Sequence, residues 1–310
     1  MPPQKGRRTS LRIVFFGVDG ALSLAALGAI SSGHQLAGVV RPRPQGHPAP
    51  AGPSVRRLLG AAARGLGLRP AGTLAEAASR SRAPLWEAHG GDDPVIAEEV
   101  RRARPDVICI AGYPWLLRGE ILTHPPALTL NVHAALLPRH RGPLPLFWIY
   151  HHNDRETGVT VHEVTDRADA GAILGQESFP LPRGFPVERL NRLNAERGAA
   201  LVGRVLADLA VGRTSRRAQD EALATPAPRV RPGSRMIDFE RWGVERVWHF
   251  TAGLFPRFVE PLSAVEGTPV CYGGVLGYEE RETTHSPGSV TPARHGYDLH
   301  CLGGIVRLAP

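Results

Sequence analysis

Asn131 and His133 stand two residues apart at the end of a short apolar run, Leu128–Val132 (LTLNV), which reads as a buried strand. Alternation along a strand puts both side chains on one face. A carboxamide and an imidazole projecting together can donate to one oxygen that gains negative charge. Asp169 follows in the polar stretch Thr165–Gly171. A carboxylate on such a loop can orient the imidazole, raise its pKa or take up a proton. The three residues suit acyl transfer without a nucleophilic Ser or Cys, the acceptor itself being the nucleophile. A purely structural assignment is also open: Asn131 capping a turn, His133 satisfying a backbone carbonyl, Asp169 starting a loop.

Other chemistries find less support. Cys109, Cys271 and Cys301 are widely spaced, with no Cys-x-x-Cys pair, and read as buried free thiols of a reducing cytosol. Thirteen histidines lack ligand spacing, and His151 and His152 are adjacent rather than one helical turn apart, so no metal site is expected. After the first strand only Gly17 and Gly20 are present, short of a dinucleotide fingerprint. No window approaches a membrane span, and the basic start is not followed by a signal-peptide cleavage site. A cytoplasmic protein is expected.

Net charge is +8, with Lys5 the single lysine beside 36 arginines. Residues 226–310 hold nine Arg and nine Asp or Glu, so the excess lies before them. It concentrates at Lys5, Arg7, Arg8 and Arg12, then at Arg41, Arg43, Arg56, Arg57, Arg64 and Arg69, with no acid between Asp19 and Glu76. Such a stretch can face water, hold an anionic small molecule or meet nucleic acid.

The elements that must position the chemistry begin at Leu11–Gly17 (LRIVFFG), a buried strand. A helix over Ala21–Ser31 and a strand over Gln35–Val40 complete a βαβ unit. Arg41–Pro53 is a Pro-rich loop. Helices are expected at Ser54–Gly65 and Pro94–Arg104, strands at Asp106–Ala111 and Thr157–Val164, and a long helix at Pro186–Val211. Beyond them come a helix at Val244–Gly253 and short strands at Thr268–Tyr272, Val275–Tyr278, Tyr297–Cys301 and Ile305–Leu308, spaced as in a small antiparallel barrel. The expected fold is α/β, a doubly wound, mostly parallel sheet over 1–212. A linker over 213–229 and a β-rich domain over 230–310 would follow.

From Asn131 to Gly171 the residues resemble the signature of the formyltransferases that use 10-formyltetrahydrofolate. The elements, in order, are Asn131 and His133, Leu136-Leu137-Pro138, Arg141-Gly142, Pro145, Trp148, Thr157-Gly158-Val159-Thr160, and Asp169 with Gly171. LRIVFFG resembles that family's first strand. RPDVICIAGY resembles the strand and loop that receive the pterin. PAPRVRPGSRMIDF and Pro287–Ser289 resemble its C-terminal, OB-like barrel.

The resemblance implies a mechanism. A neutral amine attacks the formyl carbon, Asn131 and protonated His133 stabilise the oxyanion, and Asp169 sustains the His charge and helps remove the amine proton. It also implies cofactor contacts from Gly112, Tyr113, Leu116 and Leu117, from Leu136, Pro138, Arg141 and Gly142, and from Val164, Asp166 and Ala168. Ala135 departs from the family pattern near the cofactor, and His140, Leu144 and the run Tyr150–Asn153 depart from it near the acceptor side. The expected activity is N-formylation of a small-molecule amine: an amino sugar, an amino acid derivative or a hydroxylamine. Methionyl-tRNA formyltransferase is the alternative, which leaves tRNA open as a partner. A hydrolase or lyase on the same fold is a further one. The acceptor and the oligomeric state are not fixed by these residues.

Overall fold

A computed structural model describes residues 10–43, 72–123, 127–264 and 266–310. The expected helix Ser54–Gly65 and all but the start of the Pro-rich loop lie outside the described residues, as do Lys5, Arg7 and Arg8.

β1 (Arg12–Gly17) is buried from Ile13 onward, as a central parallel strand must be. α1 (Ala21–Gly33) buries Ser23, Ala26, Leu27 and Ile30, a stripe at helical spacing. After β2 (Gln35–Pro42), α2 (Leu74–Arg80) starts at a capping box in which Thr73 and Glu76 accept each other's backbone N–H. β3 (Leu85–Ala88) leads to α3 (Pro94–Ala103), capped by the Asp93 carboxylate, which accepts from the Val95 and Ile96 N–H groups. β4 (Val107–Ala111), α4 (Gly119–Thr123) and β5 (Leu128–His133) follow. The chain continues through α5 (Pro145–His151), β6 (Glu156–Glu163), β7 (Ile173–Pro180) and α6 (Val187–Ala210).

Seven strands form one sheet in the order β3-β2-β1-β4-β5-β6-β7. β3 through β5 are parallel, and β6 runs antiparallel to β5. Strand order reverses between β1 and β4, the switch point where an open α/β sheet leaves a crevice beyond its strand ends. Ser23 fixes that end. Its hydroxyl accepts from the Val18 N–H at 3.1 Å and donates to the Ala111 carbonyl at 2.5 Å.

The C-terminal part carries α7 (Val244–Leu254) and is rich in antiparallel strands. β8 (Leu262–Ser263) and β9 (Pro269–Val270) pair with each other. β10 (Gly274–Glu280), β11 (Val290–Ala293), β12 (Gly296–Cys301) and β13 (Gly304–Ala309) form a sheet in the order β10-β13-β12-β11. The expected strand at Thr268–Tyr272 shrinks to β9. Cys109 and Cys301 are buried, and burial pushes both thiols up to about 12. Cys271 is exposed, which corrects its expected burial.

Contacts group the described residues into two compact units. The first takes Met1–His133, Thr160–Gln176 and Ala195–Gln219, and the second Ala134–Val159, Glu177–Asn194 and Asp220–Pro310. This grouping departs from the boundaries expected at 212 and 230. The reason lies in the apolar residues. Phe147, Ile149 and Tyr150 of α5 and Leu190 of α6 share one buried core with Val247, Phe250, Leu299 and Val306. The first unit has its own core, including Val14, Phe16, Val40, Ile96, Val100, Ile108 and Ile121.

The segment expected as a linker is hydrogen-bonded within each unit. Arg217 and Ile173 exchange backbone bonds of 2.8 and 2.9 Å in the first. In the second, Arg141 N–H donates to the Thr225 carbonyl at 2.8 Å and Ala227 N–H to the Arg141 carbonyl at 2.6 Å.

Candidate active site

β5 alternates, so Asn131 and His133 leave the sheet on the same side. The antiparallel register sets His162 of β6 opposite Asn131 and Thr160 opposite His133. Side chains directly opposite across a strand pair share a face, which puts the His162 ring beside the Asn131 carboxamide. The loop from β6 to β7 then returns Asp169 to the same place. Asp169 takes a left-handed backbone, with φ of 51°. Gly171 lets the loop close, since a Cβ there would lie 2.0 Å from the Glu163 carbonyl oxygen.

The resulting cluster is compact. Asn131 Nδ2 donates to Asp169 Oδ1 at 3.2 Å and faces His162 Nε2 at 3.2 Å. His133 Nδ1 lies 3.7 Å from Asp169 Oδ2, and His162 Nε2 lies 3.4 Å from Asp169 Oδ1. Both imidazoles are buried, with 6% and 1% side-chain exposure, against 14% for the carboxylate.

His162 Nδ1 sits 2.7 Å from the Glu163 carbonyl, which can only accept, so this nitrogen carries a hydrogen. In the neutral ring Nε2 is therefore an acceptor, suited to the Asn131 amide. In the charged ring Nε2 carries a hydrogen as well, which Asp169 Oδ1 at 3.4 Å can accept. One carboxylate thus faces two imidazoles and an amide. Such a group can take up a proton, and it can hold positive charge on a ring.

The structure brings Asn131, His133 and Asp169 together as named from the sequence. It adds His162, which the sequence reading missed. Its signal was present in the alternation of TGVTVHEV, but the partner strand's register decides what it faces.

The other expected site residues divide between the units. In the first, Gly112 has a positive φ of 64° beside Ser23. Tyr113 sets its ring edge-on to Phe16 and Trp115, at 5.4 and 5.6 Å. Leu116 is exposed, whereas Leu117 is buried in the core with Ile121, so only its backbone is available to a ligand. Val164 N–H donates to the Thr129 carbonyl at 2.9 Å, and Asp166 and Ala168 are exposed on the Asp169 loop.

In the second unit, Leu136 lines a cavity of about 350 Å³ with Arg139, His140, Asp154 and Thr157. Pro138 accepts at its carbonyl from the Thr225 N–H at 3.3 Å. Arg141 reaches Glu221 through two bonds of 2.8 and 3.0 Å, and Gly142 lies against Ala227. Asp154 was not singled out from the sequence. Burial works to raise its carboxyl, but bonds from His140 at 2.7 Å and Arg139 at 2.5 Å outweigh it and hold it below the ordinary range.

The formyl transferase family matches residues 59–206. The methionyl-tRNA formyltransferase of Roseiflexus castenholzii is 34% identical over 304 residues, covering 96% of this chain and 90% of that one. This chain belongs to the formyl transferase family. The formyl transferase fold is shared with solved structures of low identity. An N-formyltransferase from Helicobacter canadensis, in complex with folinic acid and dTDP-3-aminofucose, superposes with a TM-score of 0.66 at 12% identity, over 96% of this chain and 98% of that one. HypX from Aquifex aeolicus, in complex with tetrahydrofolic acid, gives 0.59 at 19% identity. There this formyltransferase spans 96% of its own length but 43% of the longer protein.

Proposed function

We propose that this chain transfers a formyl group from 10-formyltetrahydrofolate to an amine. The observation that carries the proposal is the cluster of Asn131, His133, His162 and Asp169 on one sheet face. His133, when protonated, donates to the formyl oxygen as negative charge develops there, and Asp169 at 3.7 Å favours that protonated form. Asn131 supplies a second donor by turning an amide hydrogen from Asp169 toward the same oxygen. Asp169 and His162 take up the proton that the amine gives up and return it to the donor nitrogen, whose bond to the formyl carbon breaks so that tetrahydrofolate leaves.

The residues present suit a folate. The Tyr113 hydroxyl is buried and has no hydrogen-bond partner in the structure, so a polar ligand atom would satisfy it. Gly112, Tyr113, Leu116 and the backbone of Leu117 would hold the pterin, with Val164, Asp166 and Ala168 across from them. Bound there, the donor supplies an activated formyl group on nitrogen.

Two acceptors have support. The relatives named methionyl-tRNA formyltransferase favour methionyl-tRNA, the alternative acceptor. A small amine is favoured by the charge of the second unit. Residues 226–310 are neutral, and Arg139, Arg141, Arg183, Arg257 and Arg307 are each in an ion pair with Asp154, Glu221, Glu245, Glu188 and Glu279. Paired guanidiniums offer less to phosphates. Formylation of methionyl-tRNA at rising salt separates the two readings. A tRNA enzyme loses affinity steeply, by close to one unit of log–log slope per phosphate neutralised. Failure to formylate methionyl-tRNA, with turnover of a free amino sugar or amino acid, would establish the small acceptor. The proposed setting is the cytoplasm. Among the described residues no helix is long and apolar enough to cross a membrane.

A further inference from the structure

The Asp169 turn holds a backbone conformation that disfavours any side chain, with φ of 51°. Gln219 reaches in from a segment outside the region matched to the family, and its Nε2 donates to the Asp169 carbonyl at 2.8 Å and to the Gly171 carbonyl at 2.7 Å. One carboxamide thereby spans the two carbonyls that flank the turn. Along 211–223 every residue except Gln219 is exposed, and Gln219 is half-buried.

The backbone around Gln219 is anchored for this. Arg217 pairs with Ile173, the Arg216 guanidinium meets the Glu163 carboxylate, and Arg217 Nη2 donates to Gln176 Oε1 at 2.8 Å. Gln176 in turn donates to Thr160 Oγ1 at 2.9 Å, on the residue opposite His133. The contacts fall on both strands that lead into the turn.

We propose that Gln219 is a positioning residue for formyl transfer: by bridging the Asp169 and Gly171 carbonyls it holds the Asp169 carboxylate against Asn131, His133 and His162. The inference rests on the reading of Asp169 as part of the reactive cluster. A group shifted by about 1 Å can cost up to two orders of magnitude in rate, and two neutral hydrogen bonds are a modest restraint. The expected loss on removing them is therefore on the order of 10-fold in kcat.

The experiment uses the full chain with Gln219→Ala, Gln219→Glu and Asp169→Asn, each first shown to melt cooperatively. Gln219→Glu keeps the size and removes the two N–H donors. Turnover is measured with 10-formyltetrahydrofolate and methionyl-tRNA, and ¹⁵N imidazole spectra are recorded without substrates. Both Gln219 variants should lower kcat, leave KM for methionyl-tRNA unchanged, and move the His133 and His162 ring resonances in the direction that Asp169→Asn moves them. Ring resonances that stay in place in both Gln219 variants, while Asp169→Asn moves them, would overturn the proposal. The spectra decide it without any acceptor being turned over. If they move as expected while Asp169→Asn keeps full turnover, the positioning by Gln219 stands and the catalytic reading of Asp169 fails.

Discussion

The His133 ring is nearly enclosed and has one carboxylate at ion-pair distance, so its charge acts on whatever reaches the strand end. His133→Ala should cost on the order of 10²-fold or more in turnover, as for loss of an oxyanion donor. Steady-state kinetics of the variant check this, and undiminished kcat would mean that the ring is structural. His162→Phe fills the same space without a nitrogen for Asn131 or Asp169. Its expected loss is smaller, on the order of 10-fold, because His133 still faces the carboxylate. Asn131, His133 and Asp169 were legible in the sequence because alternation fixes which strand residues share a face, and because the motif elements come in a fixed order. His162 and Gln219 were not. Each acts on a partner more than 30 residues away, through a register and a loop path that local spacing does not encode.

At the scale of elements, the loop at Arg141-Gly142 is closed by backbone bonds to Thr225 and Ala227. Gly142 has φ of 130°, and a Cβ there would stand 2.7 Å from the Ala227 carbonyl oxygen. Gly142→Ala should therefore destabilise the protein by roughly 1–3 kcal/mol, read as a lower urea midpoint. An unchanged midpoint would show that the loop moves aside without cost. Central elements were readable: β1, β4 and β5 are apolar runs, and α1 and α3 carry stripes and stop signals. β3 and β7 were missed. They are the two edges of the large sheet, and ILGQESFP, of which only Ile173 and Phe179 are buried, is too polar to announce a strand. α5 was missed because PLFWIYH is apolar all round and shows no helical period.

For the molecule as a whole, the two contact-defined units explain why a division at a single linker was expected and a discontinuous one found. Composition marks the Arg- and Pro-rich stretch after α6. It cannot show that α5 shares its core with α7, which follows only from packing.

A pH dependence of stability follows from the second unit's core. His249 of α7 is fully buried, and its Nδ1 accepts from the Gly184 N–H at 2.9 Å. Burial, reinforced by Arg183, pulls its pKa down to about 3. The folded protein thus keeps the ring neutral where the unfolded chain, near its ordinary value of about 6.5, takes a proton. Stability is full above that value and falls as pH drops toward 3, by at most about 2 kcal/mol at pH 5. Urea unfolding at pH 7.5 and pH 5 tests this against His249→Leu. The variant's midpoint should change less with pH than the parent's, and equal changes in both would assign the dependence to other groups.

The central claim is transfer of the formyl group to an amine rather than its release. The most direct measurement follows 10-formyltetrahydrofolate consumption and formylated product together, for the full chain with methionyl-tRNA and with a pool of amino sugars and amino acids. Donor loss should require an acceptor, match the formylated product mole for mole, and fall in His133→Ala. Formate released at the same rate with no acceptor present would contradict the account and make the cluster a hydrolytic one.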